Sequence, residues 1–135
     1  MRKTILLLII LIITHILHIL EEILGHAWFI DDSYGGLNNF MIIMMLLLIP
    51  PLLELYMLIK KKKIAYYFGF AYIFIMMLDG AIHIIEFILK GKYFYGSAGL
   101  ITGVWFMIFG ILLWHYMGEE INQNFINKAI KLSEK

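Results

Sequence analysis

Four stretches of this chain are each long enough and apolar enough to cross a lipid bilayer as a helix, and that constraint leaves few folds open. A membrane-spanning helix needs about 20 mainly apolar residues. The stretches run roughly over 4–24, 39–59, 65–89 and 97–117. In hydrocarbon, every backbone N–H and C=O must find its partner inside the segment, so each stretch is expected to be helical. The chain is 62% hydrophobic and 16% charged, whereas a soluble domain has about half and about a quarter. The expected fold is therefore all-α, a single four-transmembrane-helix bundle over residues 1–118, followed by a tail over 119–135.

The first stretch begins Arg2-Lys3-Thr4-Ile5 and resembles a signal peptide at its start. No small-x-small cleavage site closes it, and the apolar run outlasts a signal sequence, so it reads as a retained span. Lys and Arg mark the cytoplasmic side of a membrane protein. Arg2, Lys3, Lys60–Lys63, Lys128, Lys131 and Lys135 fall on one side of a four-span arrangement, against Lys90 and Lys92 on the other. Both termini are expected to be cytoplasmic. The Lys60–Lys63 run lies between two apolar segments and is a topology signal, not a nucleic-acid patch. "Outer" and "inner" below refer to this orientation.

Pro50-Pro51 falls inside the second span and predicts a kink there. In the tail, Ile121, Phe125, Ala129 and Leu132 share a helical face beside lysines, which fits a helix lying on the inner membrane surface. Trp28, Tyr93, Phe94 and Tyr95 fit an outer aromatic belt, and Trp114 and Tyr116 an inner one. His18-x-x-Glu21 and His83-x-x-Glu86 stand 65 residues apart in the same part of their spans. Two pseudo-symmetric helical hairpins would produce that register; chance matching between Ile/Leu-rich spans would also produce it.

The chemistry lies in what the spans should not contain. Ionisable side chains within a membrane span cost at least roughly 2.5–3.5 kcal/mol each, so they mark function. The spans hold His15, His18, Glu21, Glu22, Glu54, Asp79, His83, Glu86 and His115, with five of the chain's ten acidic residues among them. At about 100° per residue, His15, His18 and Glu22 share one face of the first helix. Asp79, His83 and Glu86 share one face of the third. The two sets lie at similar depth in the outer half, and meet if those helices pack together. Paired His and Glu on facing helices build the ion sites of carboxylate-bridged bundles.

A His/carboxylate set without cysteine selects a divalent metal, namely zinc, iron or manganese, over copper(I). The candidate ligands are His18, Glu22, His83 and Glu86. Glu21 and Asp79 are the candidate catalytic carboxylates, and His15 and Glu54 stand behind them or as alternates. The competing reading is a metal-free network of hydrogen bonds that ties helices together. Glu54 is expected to cap backbone groups freed by the prolines or to pair with His115. Gly99-x-x-x-Gly103 suits close helix packing within the chain or in a homodimer.

His18-x-x-Glu21-Glu22 near the end of a first span resembles the HXXEE family of small bacterial and archaeal membrane proteins. The resemblance covers roughly residues 15–105. The family pattern continues to an Asn-x-x-x-His in the third span and a Pro-Gly-x-x-Thr entering the fourth. Here His83 matches the histidine, and Gly99 and Thr102 match the later motif. Asp79 stands in place of the asparagine and Ala98 in place of the proline. The resemblance implies a multi-pass protein of a prokaryotic plasma membrane and carries no assigned activity. His18-x-x-x-Glu22, Trp28-Phe29 and Trp105-Phe106 are more distantly similar to the sterol-isomerase and sigma-2-receptor superfamily, an analogy of fold.

Three functions follow as expectations. The first is a membrane-embedded metalloprotein, an enzyme if the metal acts on a lipophilic small molecule, with Glu21 taking a proton. The second is a metal-free acid–base isomerase or lipid-binding protein, with Trp105 and Phe106 at the wall of a lipid-facing cavity. The third is a proton or ion pathway through His15, Glu54, Asp79 and His115, which requires polar groups at every depth.

Overall fold

The computed structural model describes residues 2–25, 33–91 and 98–133, with side chains described through residue 127. Trp28, Tyr93, Phe94 and Tyr95, read above as an outer aromatic belt, lie outside the described residues, as do Phe29 and Lys92. The fold is an all-helical four-span bundle. Helix α1 is Arg2–Leu24, α2 Leu37–Leu47, α3 Ile49–Ile59, α4 Ala65–Lys90 and α5 Leu100–Ser133. Four segments of these are long and apolar enough to cross a membrane: Arg2–Leu24, Leu37–Ile59, Ala65–Lys90 and Leu100–Asn127.

The second span is made of two helices, α2 and α3, because the backbone hydrogen-bond ladder is interrupted at Leu48. Pro50 and Pro51 have no N–H to give to the preceding turn. Both prolines fall in the first turn of α3, where a missing N–H costs least. The Leu48 N–H turns back to the Met45 carbonyl at 3.2 Å. The break therefore sits just before the proline pair. Helix α4 ends at Gly91, whose φ of +62° is left-handed and whose N–H reaches the Phe87 carbonyl at 2.8 Å, an arrangement glycine adopts without strain. Residues 119–133, read from the sequence as a separate surface helix, continue α5 without a break.

Helix α5 packs against both α1 and α4, and α3 packs against the same two. The four spans thus form a square in which α1 and α4 face each other diagonally across the centre. They do not pack side by side, as the sequence reading required for their polar faces to meet. The polar side chains meet by reaching across the middle of the bundle.

Polarity is inverted relative to a soluble bundle. Thr4, Thr14, His15, His18, Glu22, Glu54, His83 and Thr102 are buried, while Leu6, Ile13, Ile75, Ile85 and Ile108 face outward. Lipid is as apolar as leucine, so burying these aliphatic groups contributes little; close packing and hydrogen bonds hold the helices. The α4–α5 seam shows the packing. A Cβ on Gly80 would run into the Gly103 carbonyl, and one on Gly110 would lie 2.8 Å from Met77 Cγ. Gly103, read as a contact within the chain or in a dimer, is thus used within the chain.

Candidate metal centre

His18 on α1 and His83 on α4 point at one another across the diagonal, with ring centroids 5.0 Å apart. Each is one turn from a carboxylate on its own helix. Glu22 lies on the outer side of His18 and Asp79 on the inner side of His83. The Nε2 of His18 lies 3.3 Å from Glu22 Oε1 and 2.9 Å from Asp79 Oδ2. The Nε2 of His83 lies 3.3 Å from the same Glu22 oxygen and 3.9 Å from Asp79 Oδ1. Both imidazoles and Glu22 are buried, whereas the Asp79 side chain is 35% exposed and forms the open edge.

His18, Asp79 and His83 bring three ligand atoms within 4.8 Å of one another, a group that can hold a metal ion. Glu22 shares Oε1 between both rings, and its Oε2 is buried with no hydrogen-bond partner among the described residues.

The rear of His18 is held by α5. Its Nδ1 lies 2.8 Å from Thr102 Oγ1, and that hydroxyl lies 2.6 Å from Glu21 Oε2. A carboxylate only accepts, so the Thr102 hydroxyl donates to Glu21 and accepts from Nδ1–H. The proton of a neutral His18 ring is thereby held at Nδ1, and the Nε2 lone pair faces the centre. Such rear partners fix a ligand's tautomer and orientation in metal sites. Glu21 also accepts the N–H groups of Ile101 and Thr102 at 3.1 and 3.0 Å. These are orphan donors at the start of α5, where the helix dipole favours an anion.

Gly99 forms the lid. Its φ is +101°, and a Cβ there would come within 2.7 Å of His18 Cε1 and 2.8 Å of His83 Cε1. The backbone can touch both rings only because no side chain intervenes.

The remaining candidates are placed elsewhere. Glu86 binds Lys90 Nζ at 3.1 Å on the outer part of α4 and is not among the ligand atoms gathered at the centre. The reason is local: Lys90 stands at i+4, within easy reach of the carboxylate. Glu21 faces Thr102 and the α5 terminus. His15 bonds the Tyr72 hydroxyl at 3.1 Å, one turn inward of His18, and its ring meets Phe106 edge-on. Glu54 is fully buried in the inner half, with neither oxygen hydrogen-bonded among the described residues. It rests against Gly69, where a Cβ would strike its carboxylate. His115 is exposed and pairs with Glu119 at 3.3 Å, so it joins neither Glu54 nor the centre.

Tyr34, just before α2, was not singled out by its sequence position. Burial pushes its phenol up from the ordinary value, and the negative charges of Glu22 and Asp79 push it further. It therefore remains a protonated hydroxyl. Its ring packs edge-on against buried Phe40 at 5.3 Å.

No family model, curated protein or solved structure matches the chain.

Proposed function

We propose that the protein binds a divalent metal ion within the outer half of the membrane, between Nε2 of His18, Nε2 of His83 and the carboxylates of Glu22 and Asp79. One observation carries the reading. A tetrahedral ion with ligands at roughly 2.0–2.1 Å places neighbouring ligand atoms ~3.3–3.4 Å apart. Nε2 of His18 and Nε2 of His83 each lie 3.3 Å from Glu22 Oε1, which matches that edge, and His18, Asp79 and His83 offer ligand atoms that all lie within 4.8 Å of one another. An ion at the centre would also give the buried Glu22 carboxylate a cation, which hydrocarbon does not. Two imidazoles and two carboxylates suit zinc first, then iron or manganese.

His18, His83 and Glu22 are buried and Asp79 is 35% exposed, so a catalytic role would require Asp79 to yield its position on the ion to water or substrate. A bound metal would supply Lewis acidity there to a lipophilic substrate. Asp79, whose side chain is 35% exposed, would be the carboxylate to hold a proton at the open edge. The metal-free isomerase reading has less support. Phe106 is fully buried, its ring centroid 5.0 Å from that of His18, so it is not exposed to lipid among the described residues. The groove between α4 and α5 is lined by Phe74, Met77, Leu78, Ala81, Met107 and Trp114, and none of the ionisable residues of the centre lines it.

The test is elemental mass spectrometry of protein purified in mild detergent without chelator, beside a His18→Ala/His83→Ala double variant. Near-stoichiometric zinc, iron or manganese, lost in the variant, is the expected result. No metal in either protein after attempted reloading would sink the proposal.

A further inference from the structure

Helix α5 is longer than a membrane requires. Its 34 residues span about 50 Å at 1.5 Å per residue, against ~30 Å of hydrocarbon. Its last turns therefore stand at and beyond the inner headgroup layer. There the helix is tied to the bundle through Glu120, whose carboxylate accepts hydrogen bonds from Thr4 on α1 and Tyr66 on α4. Beside this tie α4 and α5 part into a cleft of about 420 Å³.

The walls of the cleft change character along its length. Phe70, Ile121 and Phe125 supply an apolar wall, while Lys63, Tyr67 and Asn124 supply an ammonium, a hydroxyl and an amide. Tyr67 is 77% exposed and Phe125 75% exposed. Lys63 ends the exposed run Lys60–Lys63, in a tight turn held by Lys61 N–H to Leu58 O and Lys62 N–H to Met57 O at 2.9 Å each. Lys63 has no ion-pair partner among the described residues, and the neighbouring carboxylate, Glu120, is engaged by Thr4 and Tyr66.

We infer that this cleft is a binding site for a phospholipid with an anionic headgroup. The phosphate sits against Lys63, Tyr67 and Asn124, and an acyl chain runs along Phe70, Ile121 and Phe125 toward the hydrocarbon. Charge chooses the headgroup: a basic rim beside a membrane helix on the inner side attracts anionic lipid. Depth chooses a lipid over a soluble phosphate, because the apolar wall lies directly against the polar end. The inference does not depend on the metal centre.

Native mass spectrometry of detergent-purified, delipidated protein titrated with phosphatidylglycerol or phosphatidylcholine tests it. One phosphatidylglycerol should be retained in preference to phosphatidylcholine. Lys63→Gln should lower that retention by about five-fold, the weight of one lysine near an anionic surface. Phe125→Ala should weaken both lipids, and Lys90→Gln, on the outer side, neither. Circular dichroism unchanged from the parent confirms that each variant is folded. Equal retention of both lipids by the parent protein, or an undiminished preference in Lys63→Gln, would overturn the site. Displacement of the lipid by inorganic phosphate alone would reassign it to a soluble anion and overturn it equally.

Discussion

His18 and Thr102 are 84 residues apart in the chain, and Nδ1 of one lies 2.8 Å from Oγ1 of the other. That contact couples the assembly of the bundle to the chemistry of its centre. Thr102 lies in the first turn of α5, where Glu21 of α1 accepts both its N–H and its hydroxyl. One carboxylate thus caps α5, docks it on α1 and, through a single hydroxyl, turns the lone pair of His18 inward.

Thr102→Val keeps the shape of the side chain and removes the hydroxyl. The His18 ring loses its acceptor and Glu21 loses a donor. Metal affinity should fall by about 10–100-fold, the usual weight of a partner behind a ligating histidine. Thr102→Ser should recover most of it. A competition titration with a chromogenic zinc chelator reads both, and equal affinity of Thr102→Val and the parent protein would remove Thr102 from the site.

Gly99→Ala should act by a different route. The new methyl would meet both imidazoles and would have to adopt the unfavourable φ of +101°. The rings must separate, so metal should be lost while the spans still insert. Elemental analysis alongside circular dichroism distinguishes this from global unfolding: helicity near that of the parent with little metal is the expected pair of results.

The two carboxylates flanking His83 on α4 are predicted to differ. Asp79→Asn removes an anionic ligand and should abolish stoichiometric metal. Glu86→Gln breaks only the pair with Lys90, whose partners are partly exposed, and such pairs contribute about 0–1 kcal/mol. Metal content of the Glu86→Gln protein should match the parent. The reverse ranking would mean that the third span rotates when metal binds.

That distinction shows where sequence reasoning stops. Ionisable residues stand out in apolar spans, so His18, His83 and Glu22 are visible without a structure, as are the four spans themselves. The helical period puts Asp79, His83 and Glu86 on one face. It does not say which carboxylate turns to the centre. The answer depends on the diagonal placement of α1 and α4 and on Lys90 one turn beyond Glu86. The role of Glu21 was equally hidden, because the start of α5 comes beside it only in the folded bundle. Tyr72, the partner of His15, is an aromatic among many aromatics in α4, and only the contact sets it apart.

Metal binding should weaken as pH falls. Ligating imidazoles must be neutral and carboxylates ionised, so protons compete for the same lone pairs. Affinity should drop by about tenfold per pH unit for each proton displaced. Protons released into weakly buffered detergent solution on adding zinc, counted with a pH dye, check the sign. Proton release by the parent protein but not by His18→Ala/His83→Ala would assign it to the centre, and affinity independent of pH would count against imidazole ligands.

Glu54 provides a test that does not involve the metal. Its carboxyl is fully buried on α3, with neither oxygen hydrogen-bonded among the described residues. Gly69 on α4 leaves it the space it occupies, since a Cβ there would strike Oε1 and lie 2.5 Å from Met117 Cε. A buried polar group without a partner costs about 1–3 kcal/mol. Glu54→Met fills a similar volume without that cost and should stabilise the detergent-solubilised protein by a comparable amount, seen as a higher midpoint of heat-induced aggregation. Gly69→Ala should lower the midpoint, and combining it with Glu54→Met should recover part of the loss, because the two changes meet at one contact. A lower midpoint for Glu54→Met alone would show that the carboxyl stabilises the bundle through a partner such as a bound cation, and would make the inner half a second polar site.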